Sequence, residues 1–374
     1  MKIAPFKVEE WMNAYETQCT INIAETCCDS VSLDELLQLT GTDRTAFLSD
    51  LSSRRLTYGD IIGSPAFRSG VAGLFRTLCA DHIISTHGAI GANNLVIQSL
   101  VEPGDRVISV CPTYQQLYSI PESIGADLHL LHLRRENSFL PDLDELRQLA
   151  IPGTKLICIN NPNNPSGALM DEAMLAAIVD IARAAGAYLL CDEVYRGLNQ
   201  DGSYSPSGSD LYEKGISTGS MSKIFSLAGL RLGWVATKNP EVMAACLSHR
   251  DYGTISCSIL DEAAATLALQ NADKVLARNQ AIIKENLALL DAWVESEPLI
   301  SYVKPKAGTT ALLYYNRDIP SVDFCRGLLA ATGALLTPGS CFEQEHCARM
   351  GYACEPKELK RGLAAISGYI KALA

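Results

Sequence analysis

Three stretches of the chain hold residues whose types and spacing suit chemistry on a small ligand, and a fourth suits holding one. In GSMSKIFSLAGLRLGW (219–234), Ser220 and Ser222 precede Lys223 by alternation, and Arg231 follows eight residues later. A lysine just after two hydroxyls, ahead of an arginine set off by glycine, suits a covalent imine formed beside a phosphate. In CDEVYRG (191–197), Asp192 closes an apolar run and Tyr195 stands three residues on. A carboxylate there is costly to keep charged unless a cation meets it. NNPNNPSG (160–167) combines two Asn-Pro steps with a glycine, a rigid turn whose amides can face a ligand. STHGAIGANN (85–94) opens a helix through a glycine-containing loop, and free backbone N–H groups at such a start seat phosphate. Taken singly, each has an ordinary alternative: a solvated lysine, a helix-terminal carboxylate, a plain turn or a common loop.

All four follow predicted strands, which is what gives them weight. From about residue 83 the chain alternates short apolar runs, DRVISV (105–110), ADLHLLHL (126–133), TKLICIN (154–160) and AYLLCDE (187–193), with helical patterns at about 88–101, 114–125, 142–150 and 171–185. Near-continuous apolar strands separated by helices predict a parallel sheet covered on both faces. GISTGS (215–220) and RLGWVAT (231–237) are two further strands. Positions 260–296 read as one long helix broken near Gln270 to Asp273. Beyond Pro298 the pattern gives TTALLYY as a strand, DFCRGLLAATG as a helix, ALLTPGS as a strand and PKELKRGLAAISGYIKAL as a final helix. The expected organisation is a large α/β domain over 41–270 and a smaller α+β domain from 1–40 plus 271–374. The ligand cleft belongs between them, at the carboxyl ends of the strands.

Composition narrows the function classes. Lys+Arg number 31 against Asp+Glu 42, a net charge of -11 that disfavours nucleic acid and anionic lipid as main partners. MKIAPFKVEEWMNAYE lacks the apolar segment of a signal peptide, and no run approaches a membrane span, so a cytoplasmic protein is expected. The 13 cysteines are scattered, several within apolar runs, and read as buried thiols in a reducing compartment. Cys341, His346, Cys347 and Cys354 match no common zinc spacing, and no metal is expected.

In content and order the motifs resemble the fold type I, pyridoxal-phosphate-dependent enzymes related to class I/II aminotransferases, over essentially the whole chain. The resemblance implies the α/β PLP-dependent transferase fold type I: a large, mainly parallel, three-layer α/β/α domain with a smaller α+β domain. It implies pyridoxal 5′-phosphate as cofactor, with Lys223 as its imine partner and later the base at the substrate Cα. Asp192 would pair with the pyridine nitrogen, Tyr195 and Asn164 with the phenolate oxygen, and Tyr114 would stack on the ring. Ser220, Ser222, Arg231 and the backbone N–H groups of Ala89 and Ile90 would bind the phosphate. Arg349, in CARMGYA, resembles the arginine that grips the substrate α-carboxylate. Tyr58 resembles a tyrosine that reaches the phosphate across a subunit boundary, which implies a homodimer with shared active sites.

These residues deprotonate Cα whatever follows, so departures from the ordinary pattern speak to the reaction. INIAETCCDS (21–30) replaces the usual Gly-rich stretch and brings Glu25 and Thr26 to the pocket, where a carboxylate suits a guanidinium; the alternative is a solvated arm. His87 stands where an asparagine-like residue is common. With PTYQQLYSIPESIG (112–125), these features resemble the branch that cyclises hydroxylated arginines to capreomycidine or enduracididine. The expected function is a dehydrating cyclase on a hydroxyarginine, with Arg349, Asn164, Glu25, Thr26 and His87 at the substrate. The alternatives are an amino acid:2-oxo acid aminotransferase and a non-catalytic regulatory module. The last is disfavoured by the acidic charge and by the roughly forty residues ahead of the large domain.

Overall fold

The computed structural model describes residues 2–373; Met1 and Ala374, the outer ends of the expected small domain, lie outside the described residues. An arm opens the chain with α1 (Lys7–Tyr15) and β1 (Ile21–Asn22), followed by α2 (Leu33–Thr40), α3 (Arg44–Ser53) and α4 (Pro65–Ala72). The large sheet begins with β2 (Ile83–Thr86) and α5 (Gly88–Leu100). It continues through β3 (Arg106–Cys111), α6 (Gln116–Ile124), β4 (Asp127–His132) and α7 (Leu143–Leu149). Then come β5 (Leu156–Asn160), α8 (Glu172–Ala185), β6 (Tyr188–Asp192), α9 (Gly208–Leu211), β7 (Gly215–Ser220) and β8 (Gly233–Ala236). Helices α10 (Pro240–Arg250), α11 (Ile259–Gln270) and α12 (Ala272–Ser296) lead to β9 (Ile300–Ser301), β10 (Thr310–Tyr315) and α13 (Ser321–Thr332). The chain closes with β11 (Ala334–Leu335), β12 (Thr337–Pro338), β13 (Cys347–Gly351) and α14 (Pro356–Ala372). Among the described residues no helix is long and apolar enough to cross a membrane.

The seven-stranded sheet runs β2-β8-β7-β6-β5-β3-β4. Only β8 runs against its neighbours, which makes the sheet mainly rather than wholly parallel. Strand β5 explains why its sequence has no alternation. Ile157 and Ile159 enter one core with Leu175 and Ile178 of α8, while Leu156 and Cys158 enter another with Val96 and Ile97 of α5. Both faces are dry, so both registers must be apolar, each large side chain contributing roughly 1.5–3 kcal/mol. Strand order reverses between β3 and β5, and such a reversal opens a crevice beyond the strand ends.

A four-stranded sheet, β12-β13-β10-β9, is packed with α13, and α14 packs on α13 and on the β1–β11 pair. The arm is stitched to this part of the molecule through the parallel pairing of β1 with β11. Trp11 of α1 is buried and its Nε1–H donates to the Leu336 carbonyl (2.9 Å). Strand β13, which carries Arg349, was not expected as a strand: CARMG has no apolar alternation, and all five residues are buried. The break in the long helix falls at Asn271.

Candidate active site

A cavity of about 460 Å³ lies where the crevice should be, between the ends of β5, β6 and β7, the start of α5, strand β13 and the arm. Asp192, the last residue of β6, is buried at its floor. Burial pushes its pKa up to about 6, against the opposing pull of hydrogen bonds from Asn93 Nδ2 (2.8 Å) and the Val194 backbone N–H (3.3 Å). The turn beyond it is pinned from behind by a buried Glu193–Arg196 pair (2.8 Å), with Ser207, Ser217 and the Gly208 N–H also donating to Glu193. Removing one member of such a pair strands a buried charge and costs about 3–5 kcal/mol. That pair holds the turn that sends Tyr195, also buried, to the cavity wall.

Lys223 lies three residues past β7, and its Nζ donates to Thr26 Oγ1 (2.6 Å) and contacts Cys27 Sγ (3.4 Å). Burial opposes its charge, but Cys27 and Tyr195 more than offset this, so its pKa is raised. Asn164 is held by its backbone N–H, which donates to Asn160 Oδ1 (2.7 Å). Its own Oδ1 accepts from Arg349 Nη1 (3.3 Å). Arg349 is buried, donates to the Ala24 carbonyl and to Thr337, and leaves Nε without a partner among the described residues. Burial lowers its pKa, and no ion pair among the described residues engages it. A buried guanidinium with a spare donor fits a ligand carboxylate.

At the other end, Arg231 stands over the start of α5. A Cβ on Gly88 would lie 3.1 Å from its Nη2, and one on Gly233 would strike the Gly88 backbone at 2.4 Å, so both glycines permit the close approach. Arg231 adopts a left-handed backbone (φ +52°), a conformation that costs a non-glycine residue about 1–2 kcal/mol. With Ser220, Ser222, Ala89 and Ile90, it lines the cavity, a set of donors that could hold a dianion. Tyr114 lines the cavity beyond, with its hydroxyl donating to Glu9 (2.8 Å). Burial, then Glu9, pushes its pKa up. The donor set therefore fits pyridoxal 5′-phosphate: a group of donors for a dianion, an amine, an aromatic ring and a buried carboxylate that forms no salt bridge among the described residues.

Two expected residues are not brought to this cavity. His87, expected at the substrate, occupies the N-cap position of α5, is exposed and makes no side-chain cap hydrogen bond. Tyr58 is 74% exposed and lines a separate surface groove with Leu56 and Thr57. Glu25 and Thr26 do line the cavity, their backbone pressed so closely on β13 that a Cβ on Gly351 would meet the Glu25 carbonyl oxygen at 1.6 Å. Sequence reasoning missed Asn93, Cys27, Glu9 and Glu16, all of which line the cavity. The signals were two amides on the apolar helix α5, and in α1 the acidic residues interleaved with Val8, Trp11 and Tyr15.

The aminotransferase class I and II family profile matches residues 38–366. The chain belongs to that family. It is an enzyme, and its cofactor is pyridoxal 5′-phosphate. It is 32% identical to capreomycidine synthase of Streptomyces vinaceus over 96% of this chain and 92% of that protein. It is also similar to the structure of a PLP-dependent aminotransferase from Streptococcus suis, at 45% identity and a TM-score of 0.97 over 100% and 99% of the two chains. The structure of the PLP-dependent cyclase OrfR resembles it at 26% identity and a TM-score of 0.92, again over 100% and 99%.

Proposed function

We propose that the enzyme is a dehydrating cyclase acting on a free hydroxyarginine, whose side-chain guanidine closes a ring as the hydroxyl leaves. The observation that carries this reading is the acidic arm: Glu9, Glu16 and Glu25 all line the cavity that Arg349 also lines. Such a pocket offers a cationic partner to an α-carboxylate and anionic partners to a guanidinium. The similarity to capreomycidine synthase and to the cyclase OrfR supports it.

When bound, the cofactor supplies an electron sink for the negative charge left at Cα. Lys223 takes the Cα proton and returns it. Asp192 would hold the ring nitrogen protonated, Tyr195 and Asn164 would hydrogen-bond the phenolate oxygen, and Tyr114 would pack on the ring. Ser220, Ser222, Arg231 and the Ala89 and Ile90 N–H groups hold the phosphate. Arg349 orients the substrate carboxylate, and Glu25 with Thr26 completes the far wall. A C–O bond breaks and a C–N bond forms; the hydroxyl leaves with one guanidine proton as water, and no oxidant is needed. Tyr58 reaches a partner's phosphate in a homodimer, a reading supported by the exposed Leu56, Tyr58 and Tyr252 on one chain. The arm and residues 271–374 form the smaller domain over 41–270.

Aminotransfer is the second reading, favoured by the 45% identical structure from Streptococcus suis. Incubation with hydroxyarginine labelled at the α-nitrogen, without any 2-oxo acid, separates the two. Cyclisation gives a product lighter by one water with the label retained. A 2-oxo acid formed in stoichiometric amount, with label on the cofactor, overturns it.

A further inference from the structure

Asn93 meets Asp192 from α5, whose first turn also lines the cavity. Its Nδ2 donates to Asp192 Oδ2 at 2.8 Å, and its Oδ1 accepts from Thr218 Oγ1 at 2.6 Å. Thr218 sits directly opposite Asp192 in the β6–β7 ladder. All three side chains are buried, so water does not compete for these bonds.

The relay has a direction. Thr218 has one hydroxyl proton, and giving it to Asn93 Oδ1 leaves the amide N–H to face the carboxylate. The opposite amide orientation would set two acceptors against each other, an oxygen of Asn93 and an oxygen of Asp192. Every donor in the chain therefore points at Asp192, an arrangement that favours its ionised form and fixes its rotamer. Because Asn93 is carried by α5, the same bond ties the carboxylate to the element that seats the phosphate. Burial works the other way on Asp192, and an unassisted carboxylate there would take up a proton more readily.

We propose that Asn93, oriented by Thr218, is a positioning residue that keeps Asp192 an ionised acceptor facing the cavity, at a fixed spacing from the start of α5. This rests on the reading that Asp192 meets the cofactor's ring nitrogen. Cofactor-free protein is titrated with pyridoxal 5′-phosphate by absorbance from pH 5 to 9, as wild type, Asn93→Ala, Thr218→Val, Thr218→Ser and Asp192→Asn. Asn93→Ala and Thr218→Val are expected to weaken binding roughly tenfold. They should also move the acid limb of binding upward by about one pH unit. Thr218→Ser, which keeps the hydroxyl, should match wild type. Thr218→Val is nearly isosteric, so it tests the relay even where Asn93→Ala fails to fold. If Asp192→Asn weakens binding and removes the acid limb while both relay variants bind as wild type with the limb unmoved, the relay is overturned and the reading of Asp192 stands. If Asp192→Asn itself changes neither, that reading falls and takes the relay with it.

Discussion

The floor and the arm of the cavity are built by opposite means. At the floor, Asp192, Asn93, Thr218, Asn160 and Asn164 are buried and joined by hydrogen bonds no longer than about 3 Å, on strand ends fixed by a core on each face. On the arm, Glu25 is exposed and its side chain meets the Cys27 thiol, while Glu16 accepts a long contact from Asn22 (3.4 Å). A group that is over-determined in a dry site holds one geometry through many reactions. A carboxylate loosely held at a wet rim keeps its reach for a ligand. The floor is thus suited to the chemistry common to the family, and the arm to choosing which amino acid enters.

The largest expected effect belongs to the floor. Lys223→Ala should lower turnover by about 10⁴-fold, measured as single-turnover product formation, since it removes the only base proposed at Cα. Loss of less than tenfold would move that role elsewhere. Next comes the cost of the buried carboxylate. Asp192 has its pKa raised from 3.8 to about 6 in the folded chain, so between those values the folded state binds the extra proton. Its contribution to stability therefore improves as pH falls from 6 towards 4, and at pH 7 the buried charge costs about 3 kcal/mol. Asp192→Asn should raise the thermal stability of cofactor-free protein at pH 7 and leave the difference from wild type near zero at pH 4. A constant difference across that range would place the strain elsewhere. The smallest effect is expected on the arm. Glu25→Gln should raise KM for a guanidino amino acid about tenfold and leave cofactor affinity unchanged. An equal KM change with a neutral amino acid of the same length would erase the distinction between floor and arm.

Much of the floor was legible because its strands announce themselves. A run such as KLICIN can only be dry on both sides, and Asn160, Asp192 and Ser220 are then placed by being last in their strands. Lys223 and Arg231 followed from local spacing. The arm was harder to read: α1 is nine residues long, too short to declare itself by periodicity, and Glu9 and Glu16 look like solvated carboxylates until Trp11 is seen anchored on Leu336. Strand β13 was hidden because CARMG borrows its burial from neighbours far along the chain.

By itself, then, the order of residues determined the layered architecture and, through the family resemblance its motifs carry, the cofactor class and the lysine proposed to meet it. These depend on hydrophobic period and on motifs whose parts lie within a few residues of one another. The tertiary structure alone decided that Asn93 meets Asp192 across 99 residues and that Arg349 reaches Asn164 across 185. It also decided that the N-terminal arm brings Glu9, Glu16 and Glu25 to the same cavity. Contacts of that separation are set by how packed layers bring distant segments together, and no local pattern encodes them.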